Sequence, residues 1–341
     1  MRRTNDLGND PVGRLVLRLA LPTMLAQLVN VLYSIVDRIY ISNIPEVGEL
    51  ALAGVGVCGP IVTLLSSFAT LVGLGGSPIM AMRMGAGRKE EAGRILNTCF
   101  LLLLGLSAAL TVGFLLMKNH LLQWFGTSPS TFGYGNTYLT IYTAGTLFAL
   151  MAAGMNSFLI CQGFSGLGMF TVLLGAVMNI VLDPIFIFLC DMDVAGAALA
   201  TVLSQMGSCA FVLLTLRRKS MPVPLGLHGF SWKIVRQVVA FGLSPFLIIA
   251  TDSVLLIVLN TMLQRYGGPE LGDTLVTCAT IVQSYLLIIT MPMGGMTLGT
   301  QPVISFNYGA GNPDRIRKAM KAIVGLCLLF CAIMMIATHT V

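Results

Sequence analysis

The chain has 341 residues, of which 56% are hydrophobic and only 10% charged, and its formal net charge is +6. Soluble domains carry about 25% charged residues, so this composition excludes an ordinary soluble enzyme and indicates a membrane protein. The basic residues fall in short loops between apolar runs, so the positive charge does not indicate a nucleic-acid-binding surface.

Nine apolar runs are long enough to cross a bilayer, which takes roughly 20 helical residues. Gly-, Pro- and Asp-rich segments such as 43–49, 126–130, 191–196 and 266–273 separate them. The sequence therefore predicts an all-α, polytopic membrane protein. Its predicted spanning segments are about 15–41, 51–82, 95–117, 134–160, 167–190, 194–216, 234–263, 274–306 and 319–338.

The loop charges predict the orientation. The N-terminal segment and the loops after the even-numbered runs carry 17 of the 20 basic residues. The other three are Arg38, Lys118 and Arg265. Because basic residues concentrate on the cytoplasmic side, we predict a multi-pass protein of the cell membrane (plasma or inner membrane) with a cytoplasmic N-terminus.

The chain repeats itself with an offset of 223–224 residues. Pro22 corresponds to Pro245, Asp37 to Asn260, and the loop 84–95 to the loop 308–319. Six segments separate the copies, so both copies have the same orientation in the membrane, as in a parallel transporter repeat. We predict a first six-helix lobe at 1–219 and a partial second lobe of three helices at 220–341, with the chain truncated after its ninth segment.

The first segment has one polar face. Gln27, Asn30, Ser34 and Asp37 fall within about 80° of one another on a helix. Such a face points into the bundle or into a wet cavity. One interpretation is interhelical hydrogen bonding that only holds helices together; the other is an ion or substrate path, which the carboxylate favours.

A second carboxylate lies in the fifth segment. Asn179 and Asp183 are one helical turn apart, and Pro184 deprives the Ile180 carbonyl of its helical partner. Thr201 in the sixth segment is predicted at the same depth as Asp37 and Asp183. Oxygen ligands suit a hard cation or a proton, and competition between the two for one carboxylate pair is a physical basis for antiport.

Asp252 is the third intramembrane carboxylate. It is predicted near the middle of the membrane in the second lobe, where with Asn260 it would line a path for cationic substrates. A locally paired polar residue is the alternative interpretation.

Several stretches resemble the multidrug and toxic compound extrusion (MATE) family of efflux transporters. They are 20–41, 73–92, 179–188, 194–205 and 301–311. The resemblance implies two lobes around a cavity and export of small cationic organic compounds, driven by inward H⁺ or Na⁺. It implies no other cofactor, no catalytic residues and no enzyme activity, and we expect a monomer in the lipid bilayer with no nucleic-acid partner.

By position, the resemblance also assigns residues to a site. Asp37, Asn179, Asp183 and Thr201 match the family's first-lobe cation site, which would hold a proton or a Na⁺ ion. Tyr33 matches a supporting position and Asn30 a cavity position. The chain departs from the family pattern in lacking the last three helices.

Three alternatives remain open at this point. A lipid-linked oligosaccharide flippase of the same superfamily would favour basic residues in the cavity. An intramembrane aspartyl protease would use Asp37 and Asp183 as a dyad. A non-transporting fragment would fold without moving a substrate.

Overall fold

The computed structural model describes residues 5–226 and 229–340, apart from the side chains of Thr340 and of some residues between 253 and 284. Within these ranges the chain forms nine α-helices and one π-helical turn, Ile185–Leu189, and no strand. The helices are α1 (Val12–Ser42), α2 (Gly48–Gly85), α3 (Lys89–Trp124), α4 (Phe132–Ala144), α5 (Thr146–Cys161), α6 (Ser165–Pro184), α7 (Asp193–Leu216), α8 (Trp232–Gly309) and α9 (Pro313–Thr340). The all-α prediction is confirmed.

Seven helical segments of the described chain are long and apolar enough to cross a membrane, and α4 and α5 add an eighth crossing as a pair bent by 56°. The bend lies at Gly145, where a Cβ atom would come within 2.5 Å of Val202 Cγ2 in α7. Because a larger residue would overlap Val202, the missing side chain lets α7 pack directly against the bend.

Helix α8 differs from the prediction. The sequence predicted two helices joined by a loop at 266–273, and the loop is wrong, because helical backbone runs unbroken from Trp232 to Gly309. Turn-forming residues lower helix propensity by about 1–3 kcal/mol each but do not forbid helical dihedral angles. Their presence at 266–273 was therefore not enough to end the helix.

Helix α8 is nevertheless not straight. Gly242 packs against Leu71 and Gly309 against Met82, and both partners belong to α2. The two contacts are about 16 Å apart along α2, whereas a straight helix from 242 to 309 would span about 100 Å. Helix α8 therefore has a first arm (232–252) and a second arm (291–309) that both lie beside α2.

The two lobes meet through contacts that obey the internal repeat. We call helices α1–α7 the first lobe and α8 with α9 the second. Gly85 approaches the backbone of Phe306, and Gly309 approaches that of Met82. Gly85 and Gly309 are 224 residues apart in sequence, and so are Met82 and Phe306. Each contact is thus the counterpart of the other, as a two-fold axis between parallel repeats requires.

The close inter-lobe approaches among the described residues lie toward one end of the bundle. They involve residues 19–27 of α1 and 68–85 of α2. The N-terminal segment, the loop 86–88 and the loop 310–312 lie at this end, which we call the basic face. The lobe boundaries 1–219 and 220–341 stay a prediction.

The core of the first lobe positions the polar residues described next. One cluster of buried side chains, including Ile61, Leu65, Leu122 and Leu139, packs α2, α3 and α4 together away from the basic face. Val194, Ala197 and Ala198 of α7 belong to the same cluster. This packing fixes α7 against α4 at the level of Thr201.

Candidate ion-coupling site

Asn179 is the centre of a hydrogen-bonded group on α6 and α7. Its Nδ2 donates to Asp183 Oδ1 at 3.1 Å and to Thr201 Oγ1 at 3.4 Å. The Thr201 hydroxyl donates in turn to the Ala197 carbonyl oxygen at 3.0 Å. Asp183 is 0% exposed, Asn179 2% and Thr201 8%, so the three predicted residues are brought together in a dry environment.

The helical geometry changes just after Asp183 and Pro184, while the loss of a partner for the Ile180 carbonyl stays a prediction. Helix α6 ends at Pro184 and continues as the π-helical turn Ile185–Leu189. Helix α7 packs closely on this turn, since a Cβ atom at Gly196 would lie 2.7 Å from the Phe186 carbonyl carbon. The wide turn thus places Asp183 at the end of regular α6, directly beside α7.

Asp37 completes the group from α1. Its carboxyl group lies within hydrogen-bonding reach of the Asp183 carboxyl group. Asp37 Oδ1, Asp183 Oδ2 and Asn179 Oδ1 are buried acceptors for which the described residues supply no donor. Each such atom costs roughly 1–3 kcal/mol when left unpaired. A proton shared by the two carboxyl groups would satisfy the two aspartate oxygens, and a bound cation could take all three oxygens as ligands.

The ligand types narrow the choice of ion. The described residues contain no group of three or more His, Cys, Asp and Glu side chains that could hold a metal. The candidate site offers two carboxylates, one amide oxygen and one hydroxyl. These hard oxygen donors fit a proton or a hard cation.

Sequence reasoning missed an aromatic and amide wall beside the carboxylates. Tyr138 and Tyr142 of α4 stack with their ring centroids 6.1 Å apart at 11°. Gln205 Nε2 donates to the Tyr142 hydroxyl at 3.4 Å, and Ser66 also hydrogen-bonds with that hydroxyl. The spacing of Tyr138 and Tyr142 by four residues was the available signal, because it places both rings on one helix face.

Tyr33, which the resemblance assigned as a supporting residue, lies between these groups. Asp37, Asp183 and Tyr142 are its electrostatic neighbours, and it hydrogen-bonds with Ser34. Tyr33 therefore lies near both the carboxylate pair and Tyr142.

The polar face of α1 divides between two environments. Gln27 packs against Gly295 of α8, at the contact between the lobes. Asn30 is exposed, and its carbonyl oxygen accepts a hydrogen bond from the Ser34 hydroxyl at 3.0 Å. The half of α1 near the basic face is thus sealed by the second lobe, whereas the half from Asn30 onward is more open.

The second-lobe residues are not joined to this group. Asp252 is exposed and borders a pocket of about 570 Å³. The side chain of Asn260 lies outside the described residues. The pocket is lined by residues of α8 alone, namely Ala240, Leu243, Ser244, Leu247, Ile248, Thr251 and Asp252.

Comparison with known proteins assigns the family. The model of the MatE family matches residues 22–185 and 246–341, which is more than half of the chain. The chain belongs to the MatE family. It is therefore a multi-pass membrane protein of the transporter type that the resemblance predicted, and neither the flippase nor the protease interpretation is favoured.

Relatives and solved structures agree with this assignment. "Multidrug export protein MepA" of Staphylococcus haemolyticus (strain JCSC1435) is 24% identical over 336 residues, covering 97% of this chain and 73% of the relative. The MepA protein of Staphylococcus aureus (strain N315) is 23% identical, with 97% and 72% covered.

Two solved structures are similar along almost the whole chain. The MATE multidrug transporter DinF-BH, solved as a complex with a small molecule, is 30% identical with a TM-score of 0.86, covering 99% of this chain and 74% of that structure. An outward-facing MATE family transporter is 26% identical with a TM-score of 0.87, covering 96% and 73%.

Proposed function

We propose that this MatE-family chain is a secondary active antiporter that exports small cationic organic compounds in exchange for inward H⁺ or Na⁺. The observation that carries the proposal is the carboxylate pair Asp37 and Asp183, in which one buried oxygen of each side chain lacks a donor among the described residues. The relatives named as multidrug export proteins support the direction of transport and the breadth of substrates.

The carboxylate pair is proposed to couple the ion to a change of conformation. Two ionised carboxylates in contact repel each other, and one proton or one cation removes that repulsion. Asp183 is sealed and Asp37 is only half-buried, so the ion would enter past Asp37. The occupied and the empty site then favour different packing of α1 against α6. Ion binding can therefore shift the equilibrium between two conformations of the transporter.

The present conformation is proposed to open away from the basic face. The lobes contact each other at residues 19–27 and 68–85, while Asn30 and Ser34 farther along α1 are exposed. With the basic face toward the cytoplasm, this arrangement would admit ions from outside. The orientation, the cell membrane as location and the monomeric state belong to the proposal.

Asp252 is proposed as the residue that favours cationic substrates. It is the charged residue beside the pocket on the first arm of α8. A carboxylate there attracts organic cations and repels anions.

Ethidium efflux from cells that make the chain tests the proposal. Cells with an empty vector are the control, and efflux is followed with a proton uncoupler or with external Na⁺ removed. We expect efflux above the control that fails in one of the two treatments, which identifies the ion. Efflux equal to the control would favour the non-transporting fragment.

A further inference from the structure

The segment Asn5–Asp10, just before α1, lies across the joint between the lobes at the basic face. On the first-lobe side, Asn5 Nδ2 donates to the Gly163 carbonyl oxygen at 2.8 Å, in the turn between α5 and α6. On the second-lobe side, Asn307 Nδ2 donates to the Leu7 carbonyl oxygen at 2.9 Å. This short segment is therefore bonded to both lobes.

Arg315 makes the densest set of these contacts. Its Nη2 donates to the Asp10 carbonyl oxygen at 2.8 Å and to the Leu7 carbonyl oxygen at 3.3 Å. Its Nε donates to Asn307 Oδ1 at 3.1 Å. The planar guanidinium can reach these acceptors together because its donors form a rigid fork, which a lysine could not reproduce.

The Leu7 side chain is buried at the same contact between the lobes. It is 4% exposed and packs in one cluster with Leu15 and Leu19 of α1, Val303 of α8 and Ala319 of α9. Burying a leucine side chain contributes about 1.5–3 kcal/mol relative to leaving it in water. Opening the basic face would separate α1 from α8 and α9 and would expose this leucine.

Hydrogen bonds within the segment stabilise its conformation. Asp6 Oδ1 accepts hydrogen bonds from the backbone N–H of Gly8 at 2.9 Å and of Asn9 at 3.1 Å. The Asn9 side chain donates to Asp6 Oδ2, and this bond is the main reason that the pKa of Asp6 is lowered, with smaller contributions from the two amides and from Arg315. The turn held by Asp6 contains the Leu7 and Asp10 carbonyl oxygens to which Arg315 donates.

We propose that Asn5–Asp10 is a latch that holds the basic face closed, and that the hydrogen bonds of Arg315 hold this latch in place. The proposal rests on the proposed function only in that alternating access requires this face to open. Because the latch bonds both lobes and its leucine fills the joint, release of Arg315 shifts the equilibrium toward separated lobes. The latch sets how often the basic face opens, and the carboxylate pair remains the ion site.

The test measures opening directly and needs no transport. A Val303→Cys reporter, at a position that is 0% exposed in the joint, is introduced into the full chain in lipid nanodiscs. The rate of its modification by a membrane-impermeant maleimide is read at position 303 by peptide mass spectrometry. Arg315→Met is compared with Arg317→Met, which removes the same charge from an exposed position on the same helix.

We expect Arg315→Met to raise the modification rate at position 303 at least ten-fold, with Arg317→Met within two-fold of the parent and Arg315→Lys in between. A Leu96→Cys reporter, in the first-lobe core and 0% exposed, should stay unreactive in each background. Equal rates for Arg315→Met and Arg317→Met would overturn the latch. An equal rise at positions 303 and 96 would overturn it too, because the segment would then hold the fold together and not the gate. Lack of efflux in cells would count against the proposed function and would leave this result unchanged.

Discussion

Two adjacent glycines of α8 allow the inter-lobe contact to be tested with a matched pair of substitutions. A Cβ atom at Gly295 would lie 2.5 Å from the Thr23 carbonyl oxygen and 2.9 Å from Gln27 Cγ, both in α1. A Cβ atom at Gly294 would meet nothing within 4 Å. Gly295→Ala and Gly294→Ala are therefore the same change in the same helical turn, and only one of them pushes the lobes apart.

The expected difference follows from two opposing terms. Either substitution favours the helix by roughly 0.8–1 kcal/mol because alanine has the higher helix propensity. Gly295→Ala also overpacks a contact with a backbone oxygen, which costs about 1–3 kcal/mol, and it does so only while the basic face is closed. At about 1.4 kcal/mol for each factor of ten, the ratio of closed to open forms should fall roughly 5- to 150-fold.

The Val303→Cys reporter measures this ratio as a rate of maleimide modification. We expect Gly295→Ala to raise the rate by the factor above and Gly294→Ala to leave it within two-fold of the parent. The two variants should have similar melting temperatures, because opening the basic face removes the overlap at residue 295 without unfolding the chain. Equal reactivity in both variants would refute the argument that α1 and α8 close the basic face through this contact.

Three further substitutions separate the roles of neighbouring polar groups. Thr201→Val removes one hydroxyl ligand while keeping the shape of the side chain. Efflux driven by Na⁺ should then need roughly ten-fold more Na⁺, whereas efflux driven by protons should not change. Loss of proton-driven efflux in this variant would contradict the role of Thr201 as a Na⁺ ligand. Gln205→Leu should alter the unfolding free energy by about 1 kcal/mol or less, because it removes one 3.4 Å hydrogen bond to the Tyr142 hydroxyl. Asn179→Leu should cost about 2–4 kcal/mol, because the Asp183 carboxylate loses the amide that donates to it; a larger loss for Gln205→Leu than for Asn179→Leu in detergent melts would contradict these assignments. Asp252→Asn lies at an exposed position and should leave the melting temperature unchanged while raising the KM for a cationic dye several-fold over that for a neutral one; equal KM changes would remove Asp252 from substrate selection.

The sequence was informative where a residue type has a strong intrinsic cost in a membrane. Asp37 and Asp183 could be identified because a charged group in hydrocarbon must face the bundle interior. Their neighbours Asn179 and Thr201 followed from helical spacing and predicted depth. The structure brings these residues together, while their role in binding an ion stays a prediction.

Other features depend on packing, which one sequence does not display. The wall formed by Tyr138, Tyr142 and Gln205 joins α4 to α7, and tyrosines at such spacing also occur in ordinary helix contacts. The continuous backbone of α8 could not be read from 266–273, since turn residues permit a helix as well as a loop. The bonds of Arg315 to the N-terminal segment join positions about 300 residues apart, a pairing that no local pattern contains.

Gradient-driven transport in proteoliposomes tests most directly whether the carboxylate pair couples ion entry to export. The purified chain and its Asp183→Asn variant are reconstituted, an inward H⁺ or Na⁺ gradient is imposed, and ethidium movement is recorded. In the variant the side-chain amide can donate to Asp37 and replace the shared proton, so the fold should persist while gradient-driven transport falls at least ten-fold. Equal gradient-driven transport by the parent chain and by Asp183→Asn would contradict the account.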